Sequence, residues 1–113
     1  MKNAMLIILS VMLTIDIVQA EGDPAAGKQK SAKCAGCHGP DGNSASPNFP
    51  SLAGQYEDYI IHALESYKSG ARTNPIMKGM AAPLSEQDIE DLAAYYSQQK
   101  GLVAPDAGAD FAY

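Results

Sequence analysis

At 113 residues the chain has room for one small domain. Thirteen Asp and Glu against eight Lys and Arg give a formal charge of −5, which excludes the basic footprint of a nucleic-acid binder. No Trp, two Phe and two Cys leave a marginal side-chain core and at most one disulfide to reinforce it.

The first element predicted is a targeting segment. Lys2 precedes an apolar run from Ala4 to Ile15, and Val18-Gln19-Ala20 presents small or apolar residues where a signal peptidase reads. The run covers about a dozen positions, short of the roughly 20 that a membrane-spanning helix needs. Residues 1–20 are therefore expected to be a signal peptide with no stable membrane insertion after cleavage, and Asp16 makes the exact cut less regular. Setting aside Lys2 and Asp16 leaves twelve acidic and seven basic residues in the remaining 93.

Asp23-Pro24 then reads as a helix start, with Asp23 as N-cap and Pro24 at the first helical position. The helix should run through Lys33 into the next segment. Gly27 costs helix propensity, a loss offset where another helix crosses closely. Lys28, Lys30 and Lys33 cluster along this stretch, whereas Glu86, Asp88, Glu90 and Asp91 crowd a late helix. That asymmetry fits either electrostatic steering of a partner or two solvated faces.

Cys34-Ala35-Gly36-Cys37-His38 follows, and Cys-x-x-Cys-His is the spacing of covalent c-type haem attachment. In a helical turn, positions i, i+3 and i+4 share a face. Both thiols then reach the vinyl groups of one porphyrin edge, and His38 lies beneath the iron. The cofactor expected is one covalent haem c. A redox dithiol, a half zinc site and a disulfide are the competing readings. Structural zinc needs four ligands, and beyond this motif the only other His is His62. A redox dithiol calls for a βαβ setting that the patterning lacks.

From Gly39 to Gly54 three Gly, three Pro, two Asn and three Ser predict an irregular loop. A second helix is expected from Gln55 or Tyr56 to about Ser69, because Tyr59, Ile60, Ala63, Leu64 and Tyr67 recur at helical spacing before Gly70. His62 falls off that stripe. Residues 71–84, punctuated by Pro75, Gly79 and Pro83, read as irregular. Ser85 with Asp88 forms an acidic version of the capping box, and Ile89, Leu92, Ala93 and Tyr96 mark the buried stripe of a final helix ended by Gly101. Residues 102–113 are expected to form a loosely ordered tail, with Phe111 and Tyr113 able to pack back.

The sixth iron position separates an electron carrier from a gas-binding or peroxidatic site. Met77 and Met80 are the only Met after residue 20, in a segment from which a thioether can reach the far haem face. A Met ligand raises the potential and closes the iron. Each Met has an alternative use as a gap-filler, so residue type alone leaves the choice between them open.

With these motifs in hand, the sequence resembles the bacterial class I c-type cytochromes, in particular monohaem proteins similar to one half of the dihaem cytochrome c-four group. The resemblance covers residues 22–100 and rests on three runs: Cys-Ala-Gly-Cys-His-Gly-Pro-Asp-Gly-Asn-Ser from Cys34, Asn-Phe-Pro-Ser-Leu-Ala-Gly-Gln from Asn48, and Asn74-Pro75-Ile76-Met77 with Met80 and Pro83-Leu84-Ser85. It implies an all-α class I cytochrome c fold of three to four helices and loops around one haem, over residues 21–101. Terminal helices would cross near Gly27 and Tyr96. It selects Met77 over Met80 as axial ligand opposite His38, and implies that the Pro50 carbonyl bonds the proximal imidazole, with Tyr67 and Arg72 near the propionates. The chain is shorter than the dihaem relatives, so properties of paired haems are not carried over.

The function expected is periplasmic electron transfer by one haem with His/Met ligation, cycling between ferrous and ferric iron, with redox proteins as partners and no substrate chemistry. The alternative is the electron-accepting subunit of a periplasmic oxidoreductase such as a sulfide-oxidising flavoprotein, for which Val103, Phe111 and Tyr113 are the only hint of an apolar docking surface. An open-iron peroxidase or sensor is disfavoured by the Met pair.

Overall fold

The computed structural model describes residues 21–101, so the expected signal peptide and tail lie outside the described residues. Among those described there are only helices and loops: α1 (Pro24–Lys30), α2 (Ala35–His38), α3 (Glu57–Ser69), α4 (Pro75–Ala81) and α5 (Glu86–Ser97).

Asp23 caps α1 as expected, its carboxylate accepting from the Ala25 amide at 2.9 Å, with Pro24 opening the helix. The predicted continuous run into the cysteine motif is interrupted by a 3₁₀ turn, Ser31–Lys33. The Ser31 hydroxyl donates back to the Lys28 carbonyl at 2.8 Å, and the Cys34 amide bonds Ser31 three residues back. Such back-bonding competes with the helix ladder and bends it. With α1 and α2 counted as one interrupted helix, the expected number of helices holds.

α5 is the centre of the packing. Ser85 and Asp88 form the full reciprocal capping box, the Ser85 hydroxyl accepting from the Asp88 amide at 3.1 Å and the Asp88 carboxylate from the Ser85 amide at 2.9 Å. The expected stripe Ile89, Leu92, Ala93 and Tyr96 is buried, and so are Asp91, Ala94 and Tyr95, because α1 covers a second face. The helix stops at Ser97, short of Gly101. At the crossing, a Cβ on Gly27 would run into the Asp91 carbonyl and the Tyr95 Cβ, which is the close approach the glycine permits. The contact therefore falls one residue before Tyr96.

Residues 71–84 are more ordered than expected, because α4 occupies half of them. Asn74 Oδ1 accepts from the Ile76 and Met77 amides at 3.1 and 3.0 Å, and Pro75 sits at the first helical position. The helix is short, and Gly79 within it masked the pattern. The 39–54 loop, by contrast, is irregular as predicted but pinned. The Leu52 and Ala53 amides both donate to the Gly42 carbonyl, the Gly54 amide donates to the Tyr96 carbonyl at 2.9 Å, and the Tyr95 hydroxyl donates to the Pro40 carbonyl at 3.0 Å. Gly42 has φ 86° and lies against the Tyr96 ring, where a side chain has neither the conformation nor the room.

Candidate haem site

The cysteine motif is a helical turn. The Cys37 and His38 amides donate to the Cys34 carbonyl at 3.2 and 2.9 Å, and the Gly39 amide donates to the Ala35 carbonyl at 3.0 Å. Cys34 and Cys37 are free thiols, half-buried, and His38 is only 6% exposed. The pinned loop carries Pro50 to the imidazole, whose Nδ1 lies 2.7 Å from the Pro50 carbonyl. A carbonyl only accepts, so Nδ1 carries the proton and donates, which leaves Nε2 with its lone pair.

His38 opens onto a cleft formed by two adjoining cavities. The larger, about 400 Å³, has apolar walls from Leu52, from Ile60, Ala63 and Leu64 of α3, and from Leu92 and Tyr96 of α5. The smaller, about 250 Å³, is bordered by Cys37, Phe49 and Ile76. Cys34, His38, Met77, Met80, Pro50 and Tyr67 line both. The predicted α3 stripe lines this cleft, with Ile60 also buried in the cluster around Leu92 and Tyr96 and Tyr59 50% exposed.

Met77 and Met80, three residues apart on α4, share a helix face. Tyr67 and Arg72 also meet, the guanidinium lying 4.7 Å from the ring centroid, and both border the larger cavity. Burial pushes the Cys34 thiol up, while the neighbouring Tyr96 hydroxyl pulls the other way. The donor set suits a c-type haem: two free thiols and an imidazole with Nδ1 committed, on a mostly apolar cleft that two thioether sulfurs also line. No three His, Cys, Asp or Glu among the described residues gather as a metal cluster, so the zinc reading gains no support. His62 is exposed on α3.

The family described as cytochrome c matches residues 24–100. The chain belongs to the cytochrome c family. A cytochrome c domain carries covalently bound haem c and transfers electrons through it, and one haem fits the single domain here. The cytochrome c4 of Stutzerimonas stutzeri is 47% identical over 109 residues, covering 86% of this chain and 52% of its own length. The crystal structure of reduced recombinant cytochrome c4 from Pseudomonas stutzeri superposes with a TM-score of 0.68 at 50% identity, over 73% of this chain and 48% of that one. The chain therefore spans about half the length of the cytochrome c4 proteins it matches. Cytochrome c-554(548) of Halomonas halodenitrificans, 43% identical, is matched over 99% of its length and 70% of this chain. A thiosulfate dehydrogenase electron acceptor of Thiomonas intermedia is 42% identical over 72% of this chain and 39% of its own length.

The cytochrome c fold thus unites residues that sequence reasoning had singled out with others it had passed over. Asn74 and Asp91 had been read as loop and as part of an acidic cluster, and Tyr96 as core, where it is indeed buried. Only Asn74, followed by Pro75, carried a local signal for its role. The basic and acidic clusters meet at one point, where Lys30 bridges Asp88 at 2.8 Å and Asp91 at 2.5 Å, while Lys28, Lys33 and Glu86 stay exposed.

Proposed function

We propose that this cytochrome c domain is a single-haem electron carrier of the periplasm, with Cys34 and Cys37 as thioether anchors and His38 and Met77 as axial ligands. The observation that carries the reading is the bond from His38 Nδ1 to the Pro50 carbonyl. It holds the ring in one orientation, selects the tautomer with Nε2 free for iron, and raises ligand basicity. The haem iron supplies the redox chemistry by cycling between ferrous and ferric states. What the chain supplies is a mostly apolar, shaped cleft and fixed donors, with burial and axial ligation setting the potential. Arg72 and Tyr67 would neighbour the propionates from the rim of the larger cavity. The predicted signal peptide supports export, and no helix among the described residues is long and apolar enough to cross a membrane.

The test is ligand binding to the ferric holoprotein. A closed His/Met iron keeps its low-spin spectrum in excess azide, and takes up one electron per haem in a redox titration. Ready anion binding would falsify the His/Met assignment.

A second reading, an electron-accepting subunit held on a periplasmic oxidoreductase, is favoured by the similarity to the thiosulfate dehydrogenase electron acceptor. Sizing native periplasmic extract at moderate salt separates the two. Haem absorbance at the mass of one small domain supports the free carrier, and co-elution with a larger protein supports the subunit.

A further inference from the structure

Tyr96 is one of the largest fully enclosed side chains, 2% exposed, yet its hydroxyl has no hydrogen-bond partner among the described residues. A buried hydroxyl left unpaired costs free energy, and such groups in a native fold call for a reason. The oxygen is enclosed, and the Tyr96 side chain borders the cleft together with Cys34. Beside it lie the Cys34 sulfur and the Ser31 hydroxyl. Neither stands in hydrogen-bonding geometry with the phenol, and the Ser31 hydroxyl is held by its own bond to the Lys28 carbonyl at 2.8 Å. The Cys34 side chain, packed against the cluster that contains Tyr96, is the neighbour whose torsion haem attachment sets.

We propose that the Tyr96 hydroxyl is a positioning group that donates a hydrogen bond to the Cys34 thioether sulfur and tunes the haem potential through it. The proposal rests on Cys34 being a haem anchor. Once alkylated, the sulfur has no proton and acts only as an acceptor, so the phenol is the donor. Donation draws electron density from the sulfur and the macrocycle edge, which favours the electron-richer ferrous state. Hydrogen bonding around a haem or cluster is a known lever on potential. The Tyr95 hydroxyl has no such part, since it is spent on the Pro40 carbonyl.

The experiment uses holoprotein throughout. Mass spectrometry of the haem peptide first reports whether Cys34 carries the thioether; its absence overturns the anchor assignment and this inference together. With the thioether present, spectroelectrochemical titration of Tyr96→Phe should show the redox equilibrium constant moved toward the ferric form by roughly 2- to 10-fold, the range of one hydrogen bond. Ser31→Ala should leave it in place. An unchanged potential in Tyr96→Phe, or an equal shift in Ser31→Ala, overturns the inference while leaving the anchor assignment intact. Nuclear Overhauser contacts in the unsubstituted ferrous protein supply a readout that needs no variant. A slowly exchanging Tyr96 hydroxyl proton close to the Cys34 β-protons supports the bond, and contact with Ser31 instead overturns it.

Discussion

Lys30 of α1 reaches across the helix crossing to Asp91 of α5, its ammonium 2.5 Å from a carboxylate oxygen that is almost wholly enclosed. The other oxygen accepts from the Asp23 amide and the Gln87 amide group, each at 2.8 Å. One carboxylate thus ties the cap residue of α1, the body of α1 and the preceding turn of α5 together. Burial works against its charge, but Lys30, the Asp23 amide and Gln87 outweigh burial and hold its carboxyl below the usual range.

Removing that carboxylate should loosen the crossing that supports the cysteine motif. Asp91→Ala leaves the Asp23 amide and the Lys30 ammonium without their shared acceptor, and a loss of roughly 2–4 kcal/mol is expected. Urea unfolding of the holoprotein followed by circular dichroism checks it. A midpoint unchanged from the unsubstituted protein removes Asp91 from this role.

Acid should act on the same helix pair. The Lys30 ammonium, with the Ser85 amide and hydroxyl, holds the Asp88 carboxyl down at about 2, and Asp91 shifts in the same direction. A depressed folded-state pKa means that the unfolded chain binds more protons, so stability rises with pH across the window. The contribution is complete above the unfolded carboxylate value near ~3.9 and disappears as pH falls through the folded value of about 2. Asp88→Asn should flatten that part of the acid limb relative to the unsubstituted protein, a difference measured by urea midpoints at successive pH values.

These ties show where sequence reasoning stopped. The capping box at Ser85, the Asp23-Pro24 start and the Gly70 stop are local codes, readable within a few residues, and each reappears in the fold. The glycine crossing was legible as a question, since Gly27 in a helix asks for a close neighbour. Asp91 was not, because its partners Asp23 and Lys30 lie 68 and 61 residues away and nothing in a row of acidic residues marks the one that turns inward. The site divides likewise. The spacing of Cys34, Cys37 and His38 announces one face of a turn, whereas Pro50 and Met77 came from family resemblance. α4 was missed because Gly79 and Pro83 outweighed the Asn74-Pro75 start.

Two glycines in helices should respond in opposite ways. In Gly27→Ala the new methyl meets the Asp91 carbonyl, so helix propensity gains are overridden and a net loss of about 1–3 kcal/mol is expected. Nothing lies within 4 Å of a Cβ at Gly79 in α4. Gly79→Ala should therefore stabilise the protein by about 0.5–1 kcal/mol through propensity alone. Thermal melts of both holoproteins decide it, and destabilisation by Gly79→Ala would count against α4 as a helix.

The axial assignment is open to a paired substitution. Met77 and Met80 line the same cleft from one face of α4, so neither burial nor helix position distinguishes them. Their anchoring differs: the Met77 amide is held directly by the Asn74 side chain at 3.0 Å, which places it in the rigid first turn. If Met77 is the ligand, Met77→Ala replaces a thioether by a weaker or exogenous donor, the low-spin spectrum changes and the potential falls, because a Met ligand raises it. Met80→Ala should keep the spectrum and lose only packing, about 2–3 kcal/mol at most for a half-buried side chain. Asn74→Ala should weaken α4 by about 1 kcal/mol and make the iron–sulfur bond easier to displace by excess imidazole, while leaving the resting spectrum as it was. An unchanged spectrum in Met77→Ala together with its loss in Met80→Ala would assign the bond to Met80, and with it the second turn of α4 in place of the capped first one.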